Sequence, residues 1–208
     1  MKAFIYIGGG IFADGITERP SDGDLILAAD SGYFNARAMG IKPHAVLGDF
    51  DSMDESGLPH SVERIRVPAE KDETDTQLAL SYALQKGARE IVFIGGLDGR
   101  LDHAFSNLLL LSALDEKFIH AIITDGNNRV RFLRNNSTLL PRSDFRYFSL
   151  LPADPKVRGV SIDGAKYPLK KATLLRNNPS LAVSNEIVGN CALIDVRRGG
   201  VWIIESRA

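Results

Sequence analysis

The sequence predicts an α/β domain with a mainly parallel sheet over residues 1–126, followed by an all-β domain over residues 127–208. Three observations point to this division. Compact apolar runs at residues 3–7, 24–29, 45–47 and 90–94 each lead into glycine or aspartate, and helical spacing follows the second and the fourth, as βα units leave it. Beyond the turn-rich Asp125-Gly126-Asn127-Asn128 the apolar runs become short, and several alternate with polar residues, as strands solvated on one face do. No flexible linker or internal repeat intervenes, so the boundary is expected near residues 125–129.

A chain of 208 residues can bury a sizeable core, and 44% apolar with 25% charged residues is ordinary for a globular protein. Net charge −1 and a pI near 6.4 supply no basic surface for a phosphate backbone, so nucleic acid is not an expected partner. The longest apolar stretches, such as residues 108–111, are too short to span a bilayer, and the N-terminus lacks a signal peptide's apolar core. A single cysteine, Cys191, cannot form an internal disulfide and reads as a buried small hydrophobe; a reducing, cytoplasmic location is expected.

In chain order, residues 3–7 read as a buried strand closed by Gly8-Gly9-Gly10, a loop that either cradles phosphate or only turns the chain. Residues 24–29 form the second strand and end in Asp30-Ser31-Gly32; a helix over residues 33–39 stops at Gly40. The third strand runs into Gly48-Asp49-Phe50-Asp51-Ser52. Side chains alternate along a strand, so Asp49 and Asp51 share a face about 7 Å apart. Two carboxylates so placed suit a hard cation such as Mg²⁺, or form a solvated turn.

Residues 64–68 read as a short edge segment that delivers Lys71-Asp72-Glu73-Thr74-Asp75. Thr74 and Gln77 have capping-box spacing at the start of a helix over residues 76–85, which puts Asp75 in the first turn, where the helix dipole favours an acid. Capping alone does not account for Lys71 and Asp72; a second set of metal or phosphate contacts does. The fourth strand, residues 90–94, enters Gly95-Gly96-Leu97-Asp98-Gly99-Arg100-Leu101-Asp102-His103. Arg100 offers a planar fork for phosphate oxygens, and Asp102 a further carboxylate. His103 is either a ligand contact or a hydrogen-bonding structural residue. A helix over residues 102–114 is expected to turn Leu101, Phe105, Leu108, Leu109 and Ser112 inward.

The second half reads as an antiparallel sandwich or barrel, with strands at residues 129–133, 146–151, 157–162, 172–175, 181–183, 191–196 and 201–204. Ser184-Asn185 offers polar groups to a ligand or closes a β-turn, and Trp202 either stacks on a cationic ring or fills the core.

The ordered blocks Asp30-Ser31-Gly32, Gly48-Asp49-Phe50-Asp51-Ser52, Lys71-Asp72-Glu73-Thr74-Asp75 and Gly95-Gly96-Leu97-Asp98-Gly99-Arg100-Leu101-Asp102-His103, followed by Ser184-Asn185, closely resemble the motifs of the thiamine pyrophosphokinase family. The resemblance spans essentially the whole chain. It implies a Rossmann-like α/β domain binding ATP and Mg²⁺ at its strand ends, a β-sandwich contributing to a thiamine site, and a homodimer whose active sites lie at the subunit interface. The implied reaction moves the pyrophosphoryl group of ATP to the hydroxyl of thiamine, giving thiamine diphosphate and AMP. Asp49, Asp51, Asp72 and Asp75 are the implied metal ligands, with Arg100 and Asp102 completing the catalytic set. Asp30, Lys71, Thr74, Arg100 and His103 are the implied nucleotide contacts, and Ser184, Asn185 and Trp202 the thiamine contacts. Asp98 stands where many members of the family have glycine. Pyrophosphoryl transfer to a hydroxymethylpterin, a nucleotide-binding module without turnover, and a Mg²⁺-dependent phosphohydrolase are the competing readings.

Overall fold

The computed structural model describes residues 1–50, 58, 59, 61–66 and 73–207. Asp51, Lys71 and Asp72 therefore lie outside the described residues. The chain divides into two compact units, one of Met1–Leu110 with Phe118–Gly126 and one of Leu111–Lys117 with Asn127–Ala208.

In the first unit β1 (Lys2–Tyr6), β2 (Leu25–Ala29), β3 (Ala45–Gly48), β4 (Glu63–Arg66), β5 (Glu90–Ile94) and β6 (His120–Thr124) form parallel pairs in the order β4-β3-β2-β1-β5-β6. Strands β1, β2, β3 and β5 are near-continuous apolar runs because both sheet faces are covered, whereas the edge strand β4 is Glu63-Arg64-Ile65-Arg66. Phe4, Tyr6, Ala28, Val46, Val92 and Ile94 share one apolar cluster with Tyr33 and Ala36 of α1 (Gly32–Ala38). Ile5, Leu27, Leu47 and Phe93, which alternate with them, are also fully buried. Helix α2 (Asp75–Gln85) packs against β1, β2 and β3 and buries Ala79, Leu80 and Ala83. Each large side chain so buried is worth about 1.5–3 kcal/mol.

Chain order reverses at β1: β2, β3 and β4 step away on one side, and β5 then returns to the other. Such a switch opens a crevice at the carboxyl ends of the strands, between loops that diverge to opposite sides.

Helix α3 (Leu101–Asp115) corrects one expectation. Its buried residues are Ala104, Asn107, Leu111 and Leu114, whereas Leu101 and Phe105 are 81% and 57% exposed and Leu109 is exposed as well. The face turned inward carries Leu111 and Leu114 with the small Ala104, and it brings Asn107 Nδ2 within 2.9 Å of the Gly96 carbonyl.

The second unit holds two antiparallel sheets. One has the order β7-β13-β9, from β7 (Asn128–Arg134), β9 (Tyr147–Pro152) and β13 (Gly200–Ser206). The other has the order β11-β10-β12-β8, from β8 (Ser137–Pro141), β10 (Lys156–Asp163), β11 (Leu169–Leu175) and β12 (Cys191–Arg198). Leu133, Leu150, Val201 and Ile203 of the first sheet share a core with Leu140, Val160, Ile162, Ile194 and Val196 of the second. Strand β8 has no counterpart in the sequence reading. The strand expected at residues 181–183 does not form; residues 181–182 belong to a 3-10 turn over Pro179–Ala182, where proline occupies the first turn. Cys191 is exposed rather than buried, because it opens β12 on the outward-facing phase of the alternation.

Candidate active site

A cleft of about 440 Å³ opens in the first unit at the chain reversal. Its walls come from the loop after β1 (Ile7, Gly8, Gly9), the end of β2 (Ala29, Asp30, Ser31), the entrance of α2 (Glu73 to Thr76) and the loop and helix after β5 (Gly96, Asp98, Gly99, Arg100, His103, Asn107). Four carboxylates and one guanidinium thus line one space.

Asp30 adopts the left-handed region at φ 44°, a conformation aspartate tolerates better than most side chains, and its backbone N–H donates to Leu47 O at 2.8 Å. This bend turns the buried Asp30 toward the cleft at the end of β2. A Cβ at Gly48 would lie 3.1 Å from that of Asp30, a tight contact that a larger residue could make only if this aspartate shifted by a few tenths of an ångström. Asp49 follows at the end of β3, half-buried, and stands outside the cleft lining. Its neighbour Phe50 also has a positive φ, 63°, and lies under the Arg66 guanidinium at 5.3 Å.

At the entrance of α2 the capping box is complete: Thr74 Oγ1 accepts from Gln77 N–H at 3.3 Å, and Gln77 Oε1 accepts from Thr74 N–H at 2.9 Å. The cap fixes the first turn, and with it Asp75 on the cleft wall.

Arg100 binds Asp102 through Nε–H to Oδ1 at 3.2 Å and through Nη2–H to Oδ2 at 2.6 Å. Both side chains are well exposed, at 73% and 64%. The hydrogen bonds from Arg100 hold the Asp102 carboxyl below the usual carboxylate range, and the same bonds raise the guanidinium. His103 borders both the main cleft and a smaller pocket of about 200 Å³ lined also by Thr74, Thr76, Asp102, Ser106 and Asn107. Of the residues expected at an ATP site, Asp30, Thr74, Asp75, Arg100 and His103 line the main cleft, and Asp102 lines the smaller pocket. Among the described residues no three histidine, cysteine, aspartate or glutamate side chains are grouped closely enough to hold one ion.

In the second unit Asn185 is 2% exposed. Its Nδ2 donates to Tyr167 O at 2.8 Å, and its Oδ1 accepts from the N–H groups of Tyr167 and Glu186, both at 3.0 Å. Its backbone exchanges two hydrogen bonds with Phe148, at 2.8 and 2.9 Å. The amide is thus committed to bracing the chain. Ser184, exposed with φ 58°, donates its N–H to Ser149 Oγ at 3.0 Å. Trp202 is half-buried in β13 between the buried Val201 and Ile203, so it points away from the core they share. Its ring meets Phe132 edge-on at 5.6 Å between centroids. Trp202 and Ser149 lie on the same face of the β7-β13-β9 sheet, since Trp202 opposes Leu151 and Ile204 opposes Ser149.

Sequence reasoning missed Asn35 and Asn107. Asn35 Nδ2 donates to Ile7 O at 2.7 Å and to Gly9 O at 2.9 Å, and Asn107 holds the Gly96 carbonyl. The available signal was a polar side chain at an inward helical position following a glycine loop. Asp98, noted only as a departure, accepts from Gly10 N–H at 3.2 Å and joins two loops that form the cleft.

The family model for the thiamin pyrophosphokinase catalytic domain matches residues 18–123, and that for the family's vitamin B1 binding domain matches residues 136–201. A curated thiamine pyrophosphokinase from Bacillus subtilis is 28% identical over 214 residues, which is 99% of each chain. A crystal structure of thiamine pyrophosphokinase from Bacillus subtilis superposes with a TM-score of 0.88 at 25% identity over all of both chains. That of a thiamin pyrophosphokinase family protein from Enterococcus faecalis gives 0.86 at 27%, again over the full length of both. Apart from Ile7, Gly8 and Gly9, the residues that line the strand-end cleft lie inside the part matched as catalytic, while Ser184 and Asn185 lie inside the part matched as vitamin-binding. With both of its parts matched in order, the chain belongs to the thiamin pyrophosphokinase family.

Proposed function

We propose that the protein transfers the pyrophosphoryl group of ATP to the hydroxyl of thiamine, giving thiamine diphosphate and AMP. The observation that carries this reading is one cleft at the strand-order reversal that gathers Asp30, Thr74, Asp75, Arg100 and His103, in a chain matching both domains of the family. A new bond forms between the hydroxyl oxygen of thiamine and the β-phosphorus. The bond from that phosphorus to the oxygen bridging to the α-phosphorus breaks, and AMP leaves.

Residues 1–126, a Rossmann-like α/β domain, bind ATP, and residues 127–208, a β-sandwich, bind thiamine. The carboxylates at the strand ends are hard oxygen donors, the chemistry Mg²⁺ prefers, and an acidic cleft receives a polyanion only together with cations. Asp49, Asp51, Asp72 and Asp75 would hold the ion, which when bound neutralises and aligns the phosphate oxygens. Arg100 exchanges its exposed partner Asp102 for phosphate oxygens and stabilises charge on the transferred group. Asp30, Asp102, Thr74, Lys71 and His103 orient the nucleotide, and one of the aspartates accepts the hydroxyl proton. Trp202 offers a ring face to the cationic thiazolium, worth about 0.5–2 kcal/mol, and Ser184 offers its hydroxyl. Asn185 serves the thiamine site by fixing Ser184 beside it. The active unit is a homodimer with its active sites at the subunit interface, in the cytoplasm.

The test is AMP formation from ATP with and without thiamine, each with and without EDTA. AMP that appears only with thiamine and disappears with EDTA is the expected result. AMP formed with a hydroxymethylpterin and not with thiamine would sink the proposal, as would ATP loss without any acceptor.

A further inference from the structure

The floor of the cleft is glycine backbone, and a peptide carbonyl is a poor neighbour for a triphosphate because both are hydrogen-bond acceptors. Four floor residues are Ile7, Gly8, Gly9 and Gly96, and each of their carbonyl oxygens already accepts a hydrogen bond. Asn35 Nδ2–H groups supply Ile7 O at 2.7 Å and Gly9 O at 2.9 Å, Gly96 N–H supplies Gly8 O at 3.1 Å, and Asn107 Nδ2–H supplies Gly96 O at 2.9 Å. Three of the four bonds come from two asparagine amides.

The fit around these amides is close. Gly95 and Gly96 have φ of 91° and 74°, and a Cβ on them would lie 3.0 Å from Asn35 Nδ2 and 2.7 Å from Asn107 Nδ2. Asn107 is buried, on the same face of α3 as Ala104 and Leu111. Asn35 sits on α1, one turn after Ser31, which lines the cleft. Two helices therefore approach the glycine loops and grip their carbonyls with charge-neutral donors.

We infer that Asn35 and Asn107 are positioning residues for the triphosphate: by engaging the carbonyls of the glycine floor they hold its backbone in the one arrangement that admits phosphate. This rests on the reading of the cleft as an ATP site. Neither asparagine is required to touch the nucleotide; both act through backbone.

The test replaces each with leucine, Asn35→Leu and Asn107→Leu, which keeps the branching and neutrality of the side chain, adds bulk and removes the donors. ATP and thiamine binding are measured by calorimetry, beside unfolding temperature. The expected result is ATP affinity weakened about tenfold or more, with thiamine affinity within about twofold of the parent protein's. Folded variants that bind ATP like the parent overturn the inference, and so does an equal loss of affinity for both ligands. Where leucine prevents folding, Asn35→Ser and Asn107→Ser, whose donors fall short of the carbonyls, decide by the same criterion. A parent protein that binds ATP but forms no AMP with thiamine sinks the proposed activity and leaves this inference to the ATP affinities. A parent that binds no ATP overturns both.

Discussion

Arg100 and Arg129 each grip a carboxylate with two nitrogens, in different units of the molecule. Arg100 holds Asp102 at 3.2 and 2.6 Å, and Arg129 holds Glu205 at 2.8 and 2.6 Å. The surroundings separate them. The first pair is in water, whereas the side chains of Arg129 and Glu205 are 11% and 3% exposed, with Arg131 adding a third bond to Glu205 at 2.9 Å. The Phe145 ring lies 4.8 Å from the Arg129 guanidinium and 5.1 Å from that of Arg207. An exposed pair contributes little to stability and exchanges partners readily, while a buried pair is costly to break because one charge stays behind without water. Equal geometry therefore serves opposite ends: Arg129 fixes β7 to β13, and Arg100 stands ready for another anion.

The largest effect that could break this contrast is expected from Glu205→Ala, which removes the shared carboxylate from the buried Arg129 and the half-buried Arg131; about 3–5 kcal/mol should be lost in denaturant unfolding. Asn185→Ala follows, since it strands the Tyr167 carbonyl and two N–H groups, and about 1–3 kcal/mol is expected by the same measurement. Thr74→Ala removes the cap of α2 and should cost about 1 kcal/mol, with AMP formation reduced because Asp75 loses its fixed place. Arg100→Lys should leave stability essentially unchanged yet slow AMP formation about tenfold or more, because a point charge does not replace the planar fork.

The same variant carries a pH signature. Asp102 titrates below the usual carboxylate range while Arg100 is paired with it, so the pair persists above that lowered midpoint and opens as pH falls through it. Loss of the two-nitrogen grip in Arg100→Lys should move the Asp102 midpoint back toward the ordinary range, as read by carboxyl NMR. An unmoved midpoint would show that Arg100 is not what lowers it.

Strands β1, β2, β3 and β5 were legible because each is an apolar run ending in a polar loop, a pattern set locally by burial on both faces; their order in the sheet, set by pairing between distant segments, was not. The capping box was legible for the same reason, since Thr74 and Gln77 meet within one turn. What escaped was decided by distant partners. Apolar residues surround α3 on most sides, so spacing alone could not choose its inward face, which carries Ala104, Leu111 and Leu114 together with Asn107 bonded to Gly96. Strand β8 is short, begins with two polar residues and ends in proline, and it exists because β12 pairs with it some fifty residues later along the chain. Asn185 looked like a ligand donor by type, yet burial against Tyr167 and Phe148 makes it a brace.

Strand β13 is the last of its sheet to leave the ribosome, yet it occupies the middle, between β7 and β9. A nascent chain halted before residue 200 would present two unmatched strand edges and half of a core, with nothing of its own to close them. Folding of these strands thus waits on β13, and until it slots in, the facing edges of β7 and β9 stay open to aggregation and chaperone capture.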